Sequence, residues 1–186
     1  MQLATVSTRI QSGLHAPPVR VEVHVSAGLP SLSISGLVEA AVKESRDRVC
    51  AAIRNSGLQV PDGRIVVSLA PADLPKSGSR FDLPIALGIL AASGQVPIDK
   101  LAGCEFFGEL GLSGALQSVP ALLPSAMHAL RGGTCVVVPA KCAAEMSLLK
   151  KGNVFLAETL LDVVRFLHGA TDLPRPPSLG AAAGNA

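Results

Sequence analysis

The sequence predicts a single α/β domain, a mixed sheet covered by helices, and three observations carry that prediction. Apolar residues alternate with polar ones early in the chain, a helical period appears between apolar runs further along, and 48% of the 186 residues are hydrophobic. A chain of this length and content can bury a sizeable core. With five Phe and neither Trp nor Tyr, that core has to be aliphatic.

The elements follow in order. Val19, Val21, Val23 and Val25 alternate with Arg20, Glu22, His24 and Ser26, the period of a half-buried strand, and Leu32 and Ile34 continue it after a Gly28/Pro30 turn. From Val38 to Ser56 the period becomes helical, with Val38, Ala41, Val42, Val49, Ala52 and Ile53 on one face and Gly57 as the stop. A strand over 64–69, a Pro/Gly/Ser loop over 71–81 and an apolar helix over 82–93 come next. The stretches 105–111 and 115–118 read as a hairpin around Ser113-Gly114. A helix over 119–130, a buried strand over 134–138, a short helix over 140–149, a strand over 153–156 and a helix over 160–168 complete the domain. Strands that first run together and later alternate with helices give a sheet of mixed direction. Beyond Leu173 the sequence PRPPSLGAAAGNA offers almost nothing to bury, so 1–173 is expected as the domain and 174–186 as a linker or tail.

Composition excludes several classes. The near absence of aromatic residues removes the stacking platforms of single-strand and RNA-binding modules. A net charge of +2 is too small to imply nucleic-acid binding by itself. The apolar run Leu83 to Ala92 is far shorter than the roughly 20 residues a bilayer needs, and Met1 opens a polar stretch, not a signal peptide. A cytoplasmic protein with no membrane contact is the expectation. Cys50, Cys104, Cys135 and Cys142 and the four His are scattered without metal-ligand spacing, so the cysteines read as reduced thiols and no metal site is expected.

The chemistry concentrates in LAPADLPKSGSRFDLPIALGILAASG, from Leu69 to Gly94. A strand runs through a loop straight into an apolar helix, with Asp82 placed to cap it and Pro84 near its first turn. The loop presents Lys76, Ser77, Ser79 and Arg80 beside a positive helix end, where an anion or a developing oxyanion is favoured. Either a nucleophile loop or a loop that only binds would look like this.

This segment resembles the N-terminal domain of the magnesium-chelatase-like AAA+ ATPases of the ComM/YifB competence family and, more distantly, the catalytic domain of Lon protease. His15-Ala16-Pro17-Pro18, GLPSLSISGLVEAAVKESRDRV from Gly28, FGELGLSGAL from Phe107 and the Pro-rich stretch 174–177 extend the resemblance over roughly the first 175 residues. It implies a Lon-protease-domain-like fold, similar to the second domain of a small-subunit ribosomal protein. Lon-type peptidases use a serine nucleophile and a lysine that takes its proton. Matching Pro75-Lys76-Ser77-Gly78 to the Lon loop puts Arg80 at the serine position, and matching Gly108-Glu109-Leu110 to the later strand puts Leu123 at the lysine position. Ser79 lies one residue early, and no lysine occurs between Lys100 and Lys141. No catalytic residue is therefore assigned.

The family also carries a P-loop beyond such a linker, and no GxxxxGK[ST] occurs here. The chain looks like one domain of a longer ATPase, with no cofactor of its own and ATP and magnesium expected only in the missing AAA+ domain. Resemblance implies a hexameric DNA branch-migration helicase of natural transformation, with DNA, the AAA+ domain and neighbouring ring subunits as partners. For DNA contact the candidates are Lys43, Arg46, Arg48, Lys76 and Arg80. Lys43, Arg46 and Arg54 fall within about 80° on an unbroken helix, a face that reads either as an ordinary solvated one or as a phosphate-contacting one. Arg80, in a loop expected to be exposed, is the sharpest candidate, with an ion pair to Asp82 or Glu109 as its plainer reading. A pure assembly module and a degenerate peptidase-like regulator are the competing functions.

Overall fold

A computed structural model describes residues 3–178. Its elements are β1 (Leu3–Arg9), β2 (Pro18–Ser26), β3 (Ser31–Ser35), α1 (Ala40–Lys43), α2 (Ser45–Asn55), β4 (Arg64–Ala70), α3 (Asp82–Ala92), β5 (Cys104–Phe106), β6 (Glu109–Leu110), β7 (Leu116–Gln117), α4 (Leu123–Arg131), β8 (Cys135–Pro139), α5 (Ala143–Met146), β9 (Val154–Ala157) and α6 (Leu160–Leu167). Seven strands form one mixed sheet in the order β3-β4-β2-β1-β5-β8-β9, and β6 and β7 make a separate hairpin.

The two halves of the sheet bury different faces, and the sequence pattern follows from that. In the β3-β4-β2-β1 half one face is covered: Ala4, Val6, Val19, Val21, Val23, Ile65, Val67 and Leu69 are buried, while Thr5, Ser7, Arg20 and His24 are exposed. This half is where the alternation is visible. In the other half Val137 joins the main core and Val136 and Val138 join a second cluster with Phe107, Leu122, Ala126 and Met146. With both faces covered, β8 reads as a continuous apolar run.

α3 is the centre of the molecule. All of its residues are buried, between β1 and β2 on one side and α2 on the other. Burying Leu83, Ile85, Leu87, Ile89 and Leu90 stabilises the fold by about 1.5–3 kcal/mol for each side chain. Gly88 allows the close approach: a Cβ built there would lie 2.4 Å from Cγ2 of Val23.

Several expectations are corrected. Leu3–Arg9, expected only as a polar start, is β1, antiparallel to β2 and parallel to β5. The helix expected over 38–56 breaks at Glu44 into α1 and α2, so the wheel joining Lys43 to Arg46 and Arg54 is not continuous. The 105–111 stretch divides between β5 in the main sheet and β6 in the hairpin. Cys104 and Cys135 are register partners on β5 and β8, Cα–Cα 4.4 Å, and are paired as a disulfide, where reduced thiols were expected. Thirty-odd residues apart in sequence, they meet only through strand pairing. Of the stretch 174–186, residues 179–186 lie outside the described residues. Pro174 O accepts from Leu156 N–H at 2.8 Å, and Arg175 lies over the Phe155 ring, so the expected tail begins as a docked segment.

Candidate functional site

Between β4 and α3 the backbone folds back over the end of the sheet and carries two cations inside. Lys76 is fully buried. Its N–H donates to Leu37 O at 3.0 Å, its carbonyl accepts from Glu39 N–H at 3.0 Å, and Nζ donates to Gly36 O at 2.6 Å and to Pro71 O. Among the described residues no carboxylate pairs with it. Burial therefore pulls the Lys76 ammonium below its ordinary pKa, with distant Asp73 opposing. The turn it clamps holds Leu37 at φ 57°, a conformation that costs a residue with Cβ about 1–2 kcal/mol.

Arg80 is 5% exposed. Nη1 donates to Ser125 Oγ at 2.9 Å and to Arg9 O at 3.3 Å, and Nη2 donates to Pro120 O at 3.1 Å. These contacts tie the loop to the entrance of α4, where Leu123 is the first helical residue and Ala121 takes a φ of 50°. Arg80 is thereby held beside the start of α4, while Leu123 packs against the second hydrophobic cluster. Leu123 N–H donates to Glu145 Oε1 at 2.7 Å. Ser79 Oγ donates to the Glu109 carboxylate.

Asp82 does not cap α3. Phe81 holds the N-cap position with no side-chain cap bond, and Asp82 turns into the core. There it accepts from Arg48 Nε at 2.8 Å, Arg48 Nη2 at 3.1 Å, Leu110 N–H at 3.0 Å and Ser45 Oγ. Burial pushes its carboxyl above the usual carboxylate value, against these bonds. The same bond to Asp82 raises the Arg48 guanidinium. Four donors from α2 and β6 thereby fix the start of α3, and with it the loop 77–81.

Three of the five cations expected on DNA are accordingly engaged inside the domain. Lys76 and Arg80 are buried, and neither Asp82 nor Glu109 is the ion-pair partner of Arg80. Arg48 is the partner of Asp82. Lys43 and Arg46 are exposed, beside a shallow cleft on β3 lined by Leu32, Ser33 and Ile34, and Arg46 Nη1 donates to Leu32 O at 3.1 Å. Sequence reasoning missed Ser45 and Ser125, both fully buried, because isolated serines carry no periodic signal. It also missed the ion pair of Arg9 with Glu105 at 2.8 Å and the grouping of Lys150, Lys151 and Arg175 around a groove beside β9.

Residues 21–142 match the family model described as subunit ChlI of Mg-chelatase. The chain belongs to that family. Among its relatives, the protein named YifB of Salmonella typhimurium is 49% identical over 176 residues, covering 95% of this chain and 35% of that protein. The competence protein ComM of Haemophilus influenzae is 47% identical over 174 residues, covering 94% of this chain and 34% of ComM. A Mycobacterium tuberculosis protein, Rv2897c, is 39% identical over 162 residues, covering 87% of this chain and 32% of its own length. The chain spans about a third of the length of these ChlI-like relatives. Among the described residues no helix is long and apolar enough to cross a membrane.

Proposed function

We propose that this chain is the noncatalytic N-terminal domain of a magnesium-chelatase-like AAA+ ATPase that works on DNA as a ring-shaped branch-migration helicase, the ATP and magnesium sites lying in the AAA+ part. The observation that carries the reading is the 47% identity to ComM over 94% of this chain, a relative whose name is that of a competence protein. Arg80 and Leu123 at the Lon-dyad positions support a binding or organising role. The domain then contributes DNA contact through the exposed pair Lys43 and Arg46.

The test uses the full-length ATPase and compares Lys43→Glu/Arg46→Glu with Arg131→Glu, a cation exposed at the far end of α4. Each phosphate contact contributes about one unit to the slope of log affinity against log salt. The double variant is expected to shallow that slope by about two units and to slow branch migration, with Arg131→Glu unchanged. Equal slopes for both variants would remove DNA contact from this domain.

A pure assembly role is the second reading, favoured by Leu29, 88% exposed, and Leu37, 55% exposed, at the two ends of the free edge strand β3. Loss of the ring in sedimentation with Leu29→Ser/Leu37→Ser, without a change in salt slope, is its signature.

A further inference from the structure

We propose that the cleft beside Arg80 is a binding site for a phosphate-class oxyanion, free or as a terminal monoester. Ile10, Gln11, Ser77, Gly78, Ser79, Arg80 and Pro120 line this cleft of about 160 Å³, a space of a few non-hydrogen atoms. It admits a terminal group and excludes the body of a duplex.

The argument begins with charge. The Arg80 guanidinium is nine-tenths buried, yet every partner it has among the described residues is a neutral oxygen. A guanidinium stays protonated in a protein, so a positive charge sits at the wall of the cleft with no carboxylate at ion-pair distance among the described residues, and Glu145 offsets its burial only from further away. Of the other carboxylates, Glu105 pairs with Arg9 and Asp82 with Arg48, while Glu109 accepts from the hydroxyl of Ser79 and Glu145 from the Leu123 N–H and both keep their charge. None of them lines the cleft.

Donor geometry comes second. The main-chain N–H groups of Ser77, Gly78, Ser79 and Arg80 make no hydrogen bond to another main-chain group among the described residues. They precede α3, whose N-terminal partial charge adds to that of Arg80. Ser77 supplies a hydroxyl, Gln11 an amide from the loop after β1, and Arg80 the charge. Donors that approach from separate segments suit a tetrahedral oxyanion better than a planar carboxylate. The site is independent of the Lys43/Arg46 face, and its failure leaves the DNA reading where it stands.

Gln11→Glu is the decisive variant. Gln11 is exposed and lies in the cleft wall, so the change places an internal carboxylate where the anion would sit and leaves the core untouched. Arg80→Gln tests the same charge but removes a buried guanidinium, and serves only as a companion. Thermal unfolding and calorimetric titration of the 186-residue chain with sodium phosphate, against sodium chloride at equal ionic strength, are the measurements. Expected is a saturable rise in the wild-type midpoint with phosphate alone, and an affinity at least about 10-fold weaker in Gln11→Glu, whose own midpoint is no lower than that of the wild type. A 5′-phosphorylated trinucleotide that displaces phosphate while its dephosphorylated twin does not identifies a nucleic-acid end as the source. Displacement by neither identifies free phosphate. No saturable response, an equal response in Gln11→Glu, or equal binding of acetate would overturn the assignment.

Discussion

Replacing Asp82 by Ala isolates the junction that orients the cleft. Asp82 is fully buried, whereas the Arg48 side chain is 23% exposed. Removing the carboxylate leaves the Arg48 Nε–H, the buried Ser45 hydroxyl and the Leu110 N–H without their acceptor, while Arg48 Nη2 keeps Ser45 Oγ at 3.2 Å and Ala41 O at 3.4 Å. Breaking a buried pair costs about 3–5 kcal/mol, and an orphaned buried donor about 1–3 kcal/mol. Arg48 recovers part of its hydration because it reaches solvent, which places Asp82→Ala near the low end, at about 3 kcal/mol. Arg48→Met strands a carboxylate with no route to water and should cost more, about 4–5 kcal/mol. In a domain of this size each kcal/mol moves the thermal midpoint by about 2–4 °C, so the expected losses are about 6–12 °C and 8–20 °C.

Urea unfolding of the two single variants and of Asp82→Ala/Arg48→Met closes a double-mutant cycle. The double variant replaces both partners with apolar groups and should lose less than the sum of the singles by about 1–3 kcal/mol. The reasoning is refuted if Asp82→Ala costs under about 1 kcal/mol, or if the double variant is additive. Either result would mean that the helix start is held by apolar packing alone.

Two further variants probe the interior. Lys76→Met should lose stability relative to the wild type as pH rises: the folded ammonium titrates below its ordinary 10.5, so in the window between that lowered value and 10.5 the unfolded chain binds more protons and wild-type stability climbs with pH. Denaturant midpoints from neutral to alkaline pH measure this, and a difference independent of pH refutes it. Gly88→Ala gains about 1 kcal/mol of helix propensity but drives a methyl into Val23, a stiff β-branched residue on a central strand. A net loss of about 1–3 kcal/mol, partly relieved by Val23→Ala, is expected from thermal unfolding, and a stabilised Gly88→Ala would show that the helix lifts freely from the sheet.

What was legible in the sequence depended on how local its cause was. The apolar helix α3 declares itself because every position is buried, and β2 because one face is wet. β1 carries the same alternation in Ala4, Val6 and Thr8, but its polar partners are Thr and Ser and its apolar residues are small. Its place between β2 and β5 is set by strands distant in sequence. The disulfide pair shares that cause, since only the β5/β8 register brings Cys104 to Cys135.

The site divides along the same line: Arg80 was expected in an exposed loop, and the structure buries it. A motif match fixes which residue stands at a position, because it compares residues one by one along the chain. Exposure is decided by what packs above the loop, and here that is the strained Pro120-Ala121 turn and Ser125, brought over from β7 and α4. A loop rich in Pro, Gly and Ser ordinarily faces water. This one is roofed by a second segment, which converts a predicted surface cation into a buried charge that neutral oxygens only partly satisfy. A buried arginine without a carboxylate is costly to keep in a fold. The same cost falls when an anion enters the cleft beside it, and that is the physical link between the buried Arg80 and the phosphate site inferred above.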